Sequence, residues 1–175
     1  MEVLSNFHDG ETPKCCQVLS GEIPFTEINK KGSFDETPLH IAAKNEHVQC
    51  LQFLLENGAN INSLNCFRVT ALHAAAHHGH LNCLRLLLEH GADLNSRAAL
   101  GSTPFQFAVT NGKIECAKLL IDFGFDTKRA YEMVSPGSLR FHSTLISEDR
   151  DRVTEEIRTY IDHLRDLDFK EPNEI

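Results

Sequence analysis

Apolar residues recur at helical spacing in three windows of this chain: Val48, Leu51, Leu54 and Leu55, then Leu81, Leu84, Leu87 and Leu88, then Ile114, Ala117, Leu120 and Ile121. Each set lies along one side of a helix and predicts one buried face. The windows are 33 residues apart, and other markers keep the same step. Thr37-Pro38-Leu39-His40 returns as Thr70-Ala71-Leu72-His73 and as Thr103-Pro104-Phe105-Gln106. A threonine hydroxyl caps a helix start, and proline suits the first helical position, where its missing N–H costs nothing. A short first helix is therefore predicted ahead of each apolar window. Gly58, Gly91 and Gly124 close the second helices, because a C-terminal cap uses a left-handed residue that glycine adopts without strain.

The period and the Thr-Pro-Leu-His string resemble the ankyrin repeat. The middle copy is nearest the family pattern, from Thr70-Ala71-Leu72-His73 through Gly91-Ala92-Asp93-Leu94-Asn95. The resemblance spans residues 29 to 127. It implies an all-α repeat solenoid, a stack of helix pairs with β-turn fingers projecting between Gly58 and Thr70 and between Gly91 and Thr103. No single repeat buries its own stripe, so neighbours do it, and about three repeats are the lower limit for a stable array. The flanks are accordingly expected to act as caps.

The organisation expected is an N-terminal cap or degenerate first repeat over residues 1–34 and three repeats over 35–127, starting near 35, 68 and 101. A connector or degenerate repeat over 128–146 follows, then an amphipathic capping helix over 147–168 and a tail over 169–175. In that last helix Val153, Ile157, Tyr160, Ile161, Leu164 and Leu167 share one side, and Ser147 with Glu148 and Asp149 marks its start. Ile28-Asn29 precedes Thr37 as Ile61-Asn62 precedes Thr70 and Leu94-Asn95 precedes Thr103, so the array begins with at least the end of an earlier unit. Gly21 and Pro24 weaken the helical pattern over residues 11–27.

A net charge of −8 disfavours nucleic acid or an anionic membrane as a ligand, since phosphate binding relies on a basic surface. Most of the excess lies from Ser147 onward, where ten acidic and five basic residues give −5, read as the solvated face of a cap, the alternative being an acidic patch for a basic partner. The first residues show no basic region followed by an apolar run, and no stretch reaches membrane-spanning length. Cys50, Cys83 and Cys116 take one position in successive second helices, and packed helices stand about 8 to 10 Å apart, too far for a bridge between them. They read as core thiols. With Cys15-Cys16 adjacent and Cys66 alone on a finger, a reducing cytoplasmic or nuclear setting is expected.

No Gly-x-Ser-x-Gly, phosphate-cradling glycine loop or His-Glu-x-x-His is present. His73, His77, His78 and His80 form the one arrangement with metal-ligand character, and a metal-dependent protein or enzyme using them is the alternative reading of function. It lacks a placed fourth ligand and the glutamate a hydrolase needs. By resemblance His73 instead bonds within and between repeats. Ala71 for proline and Gln106 for histidine depart from the family pattern and suggest local weakening.

The resemblance implies a non-enzymatic module that binds a protein partner through its concave face and finger tips, as adaptor, scaffold or inhibitor, with no cofactor, metal, membrane or small-molecule substrate. The candidate contact positions are Phe34, Glu36, Cys66, Phe67, Val69, Leu100 and Ser102 on the fingers. Lys44, Asn45, His77, His78, Thr110 and Asn111 mark the first-helix ends. Phe34, Phe67 and Leu100 are 33 apart and predict a column of large apolar side chains. Either that column is an exposed ridge, or its members pack sideways under their neighbours. Asn62 and Asn95 resemble the finger asparagines modified by intracellular asparaginyl hydroxylases; alternatively each fixes its own turn.

Overall fold

The computed structural model describes residues 28–134 and 147–168. These residues form eight helices and one 3-10 turn, Ser33–Asp35. The helices are α1 (Pro38–Lys44), α2 (Val48–Glu56), α3 (Ala71–His78), α4 (Leu81–Glu89), α5 (Pro104–Thr110), α6 (Ile114–Asp122), α7 (Thr127–Met133) and α8 (Ser147–Asp168). Three antiparallel pairs, α1/α2, α3/α4 and α5/α6, stack in order. First helices touch first helices and second helices touch second helices, the arrangement a translated repeat requires.

The caps explain why each pair starts and stops where it does. The Thr70 and Thr103 hydroxyls accept the amides of His73 and Gln106, each at 3.4 Å. In return, His73 Nδ1 accepts the Thr70 N–H at 3.3 Å and Gln106 Oε1 accepts the Thr103 N–H at 3.0 Å. Gln106 thus takes over the capping half of the histidine's task, and α3 opens on Thr70 although Ala71 stands where the other two helices have proline. Gly58, Gly91 and Gly124 end the second helices at φ of 88°, 81° and 98°.

One continuous core runs through the stack. Leu51, Leu54, Leu84, Leu87, Ala117 and Leu120 are fully buried along the second helices, while Val48, Leu55, Leu81 and Ile114 lie half-buried at its edge. Cys50, Cys83 and Cys116 are buried thiols outside any disulfide, and burial pushes Cys83 up to about 12 and Cys116 up to about 11, so both stay protonated and inert.

Beyond the third pair the 33-residue template ends. The segment expected as a connector or degenerate repeat from residue 128 opens as a helix, α7, because the Asp126 carboxylate accepts the Lys128 and Arg129 amides at 2.9 and 3.3 Å and caps it. The rest of that segment, residues 1–27 of the expected N-terminal cap or degenerate repeat, and the tail lie outside the described residues. Helix α8 rests on α6 and α7, burying Val153, Ile157 and Ile161. At this contact Tyr160 donates to Asp122 at 2.5 Å, and Arg158 and Arg165 lie against the Tyr131 ring. Among the described residues no helix is long and apolar enough to cross a membrane.

Candidate functional site: the finger column and the first-helix ends

Each finger is closed by the same backbone bond, Gly32 N–H to Glu36 C=O at 2.8 Å, Asn65 to Val69 at 3.1 Å and Ala98 to Ser102 at 2.9 Å. The turn needs a left-handed residue at one position, filled by Asp35 (φ 60°), Arg68 (φ 57°) and Gly101 (φ 79°). Only the third is glycine, so the first two tips hold a conformation that side chains disfavour. At the second finger Asn65 offsets this: its buried Oδ1 accepts the Phe67 and Val69 amides, both at 2.9 Å.

Successive fingers are joined edge to edge. The Phe34 carbonyl accepts the Cys66 N–H at 2.9 Å, and the Phe67 carbonyl accepts the Ala99 N–H at 3.0 Å. With these carbonyls turned toward the next finger, the side chains of Phe34, Phe67 and Leu100 are left outward, 66, 57 and 86 % exposed. The Phe34 and Phe67 rings stack at 6.1 Å between centroids. Among the described residues these are the large apolar side chains that remain exposed, and all three sit at one position of the repeat. The sideways packing that would have hidden them is not adopted.

The other candidate positions divide. Lys44, Asn45, Cys66, His77 and His78 are exposed, whereas Glu36, Val69, Ser102, Thr110 and Asn111 are half-buried. Three of the latter serve the stack: the Val69 and Ser102 carbonyls accept the buried histidines of the preceding repeat, and the Glu36 carbonyl closes its own finger. The Thr110 hydroxyl and Asn111 amide donate, each at 2.7 Å, to carbonyls of α5.

His40 and His73 hold the repeats together. His40 Nε2 meets the Val69 carbonyl at 2.9 Å and His73 Nε2 meets that of Ser102 at 3.1 Å. A carbonyl only accepts, so Nε2 carries the proton and Nδ1 is free to accept from the threonine cap. The neutral ring is therefore the one the fold uses. Burial lowers His40 and pushes His73 down to about 4, against the weaker opposing pull of the carbonyls they bond.

This also separates the four histidines of the middle repeat. His73 is sealed in the stack with its ring edge on Phe107, His80 bonds the Lys44 carbonyl at 3.0 Å and the Glu46 carboxylate at 3.3 Å, and His77 and His78 stay on the surface. Among the described residues no three His, Cys, Asp or Glu side chains converge as a metal site.

Asn29 and Asn62 form a second inter-repeat link that the sequence alone did not reveal. Asn29 Oδ1 accepts the Asn60 N–H at 2.7 Å, and Asn62 Oδ1 accepts the Asp93 N–H at 3.0 Å, 31 residues on. The Asn62 side chain therefore steadies the next repeat rather than its own turn. In the third copy the local turn is made by the Asp93 carboxylate, which accepts the Asn95 amide at 2.9 Å, and Asn95 itself is exposed. The signal available was the recurrence of asparagine at 29, 62 and 95, but the donor it meets lies one repeat away.

Comparison with known families decides the class of this architecture. The family model described as ankyrin repeats (3 copies) matches residues 7–98, and the model for a single ankyrin repeat matches residues 100–128. The chain belongs to the ankyrin-repeat family. No curated protein matches the chain. Ankyrin repeats generally mediate protein–protein interaction, and in this ankyrin-repeat protein Phe34, Phe67 and Leu100 of the finger column and Lys44, Asn45, His77 and His78 at the first-helix ends are exposed.

Proposed function

We propose that this protein is a non-enzymatic binding module, an adaptor, scaffold or inhibitor, that takes hold of a protein partner with the finger column Phe34, Phe67 and Leu100. The observation that supports this reading is the coincidence of exposure with period: large apolar side chains are left in water at one repeat position and are buried or half-buried elsewhere in the described stack. Keeping them exposed has a hydrophobic cost that a partner removes, and aromatic residues dominate such contacts. Fingers locked to each other by backbone bonds also lose little freedom on binding. The reading places the protein in the cytoplasm or nucleus, with free thiols to match.

Affinity purification from cells with wild-type and Phe67→Ala bait tests it. Phe67→Ala should weaken partner recovery by about tenfold or more, in keeping with loss of a hot-spot aromatic. Its unfolding free energy should move by less than about 1 kcal/mol, because the ring is mostly in water. Equal recovery by both baits would remove the column from the interface.

Asn95 is also proposed as an acceptor for an asparaginyl hydroxylase, ahead of Asn62, because Asn62 Oδ1 is engaged by the Asp93 amide and Asn95 stands exposed on a turn that Asp93 already fixes. Incubation with such an enzyme, dioxygen and the oxo-acid co-substrate that takes the second oxygen atom should add one oxygen atom to the intact mass, and Asn95→Ala should abolish the gain. An unchanged mass in the wild-type protein would rule the site out.

A further inference from the structure

The ends of the first helices gather basic side chains from three successive repeats. Lys44 is the last residue of α1, His77 and His78 are the last two of α3, and Lys113 follows α5. The His77 and His78 ring centroids are 4.8 Å apart, and His78 stacks on His80 at 5.7 Å. Lys113 is drawn in across Gly79: a Cβ built there would lie 2.7 Å from the Lys113 Cδ, so the bare glycine backbone lets the lysine stem cross the end of α3. Gly79 is also the left-handed cap of that helix, at φ 82°.

The charges facing the two exposed histidines are almost all of one sign. His77 faces Lys113; His78 faces His77, His80, Lys44 and Lys113. Glu46, the carboxylate at this end of the stack, is held on His80 at 3.3 Å. A local basic crest on a chain of net charge −8 is thus assembled from separate repeats, and among the described residues no carboxylate is paired with His77 or His78. It continues into the finger column, because His77 packs its ring edge on Phe107, Phe107 on His73, and His73 bonds the finger carbonyl of Ser102.

We propose that His77, His78, Lys44 and Lys113 form a docking point for the carboxylate side chains of an acidic polypeptide segment. The inference names the chemistry of the partner in the binding-module reading and rests on it. Complementarity of charge selects the occupant, and its small extent selects a polypeptide over a nucleic acid: only two of the four groups carry permanent charge, whereas nucleic acid binding uses many phosphate contacts along a basic track. An arriving carboxylate favours the imidazolium form of both rings. Burial and the neighbouring cations hold His77 and His78 below the usual histidine range in the free protein, so binding takes up protons and tightens as pH falls.

The test uses the full chain with oligo-L-glutamate as probe, read by the imidazole proton resonances, with oligo-L-glutamine as the uncharged control. Oligoglutamate should shift the His77 and His78 signals while oligoglutamine leaves them in place. Its affinity at about pH 5.5 should exceed that at about pH 7.5 by about tenfold, the effect of moving one histidine by about a pH unit. His77→Gln/His78→Gln should lose that pH dependence with an unchanged thermal midpoint, and Lys44→Gln should weaken binding at both pH values. Unmoved His77 and His78 signals, an unchanged pH dependence in the double variant, or tighter binding of an oligodeoxythymidylate of equal charge would overturn the proposal. Such a failure leaves the finger column untouched, since the Phe67→Ala purification decides that reading separately.

Discussion

Leu87→Ala is expected to lower the unfolding free energy by about 3 to 4 kcal/mol, within the range of leucine truncations that leave a cavity in a packed core. Leu87 is fully buried in α4, the central second helix, with α2 on one side and α6 on the other. The helices flanking it are themselves held by the stack, so collapse around the missing methyl groups is restricted. In a linear array the damage also spreads, because the middle repeat provides the interface for both neighbours. Urea unfolding should show a lower midpoint for the whole described stack. A loss under about 1 kcal/mol would mean that the second helices do not share one core.

Acid should weaken the same stack through its inter-repeat histidines. His73 holds its neutral form down to about 4 in the folded chain, against 6.5 for the free imidazole. Between those values the unfolded chain binds the extra proton and the folded chain does not, so stability increases with pH across this window. The contribution is complete above about pH 6.5, fades as pH falls, and is gone below about pH 4, amounting to on the order of 3 kcal/mol for His73. His40, lowered for the same reason, adds in the same direction. Urea midpoints at about pH 7.5 and about pH 5 should therefore differ clearly, and His73→Gln should flatten the difference. Glutamine is the informative replacement because Gln106 already caps α5 in this way without a titrating ring. A midpoint equal at both pH values would mean that His73 is not held neutral by the stack.

The two effects draw on different parts of the repeat, and the sequence exposed them unequally. Leu87 was visible at once, since a helical stripe and its left-handed glycine cap are local requirements that recur with the unit. The threonine caps were visible for the same reason, and Gln106 shows that the local need, an acceptor for the Thr103 N–H, survives a change of residue type. The link from His73 to Ser102 spans 29 residues, and that from Asn62 to Asp93 spans 31. The latter could not be inferred from spacing, because it depends on how one repeat is translated and rotated against the next. The start of the segment after the third repeat was left open between connector and degenerate repeat for a related reason: Asp126 caps α7 outside the 33-residue frame, where the template offers no guidance.

The finger column shows the boundary most plainly. Its period was legible, but burial or exposure hung on which way each finger turned. Finger-to-finger bonds from the Phe34 and Phe67 carbonyls settle the direction and leave the rings in water.

By itself, then, the chain's pattern determined the repeating unit, its caps and its buried stripes, because those follow from short-range backbone geometry and helical periodicity. Only the tertiary structure decided which periodic side chains bond across repeats, which remain in solvent, and where basic side chains from three repeats converge. Those outcomes depend on the stacking of one unit against another, a relation that no stretch of sequence contains.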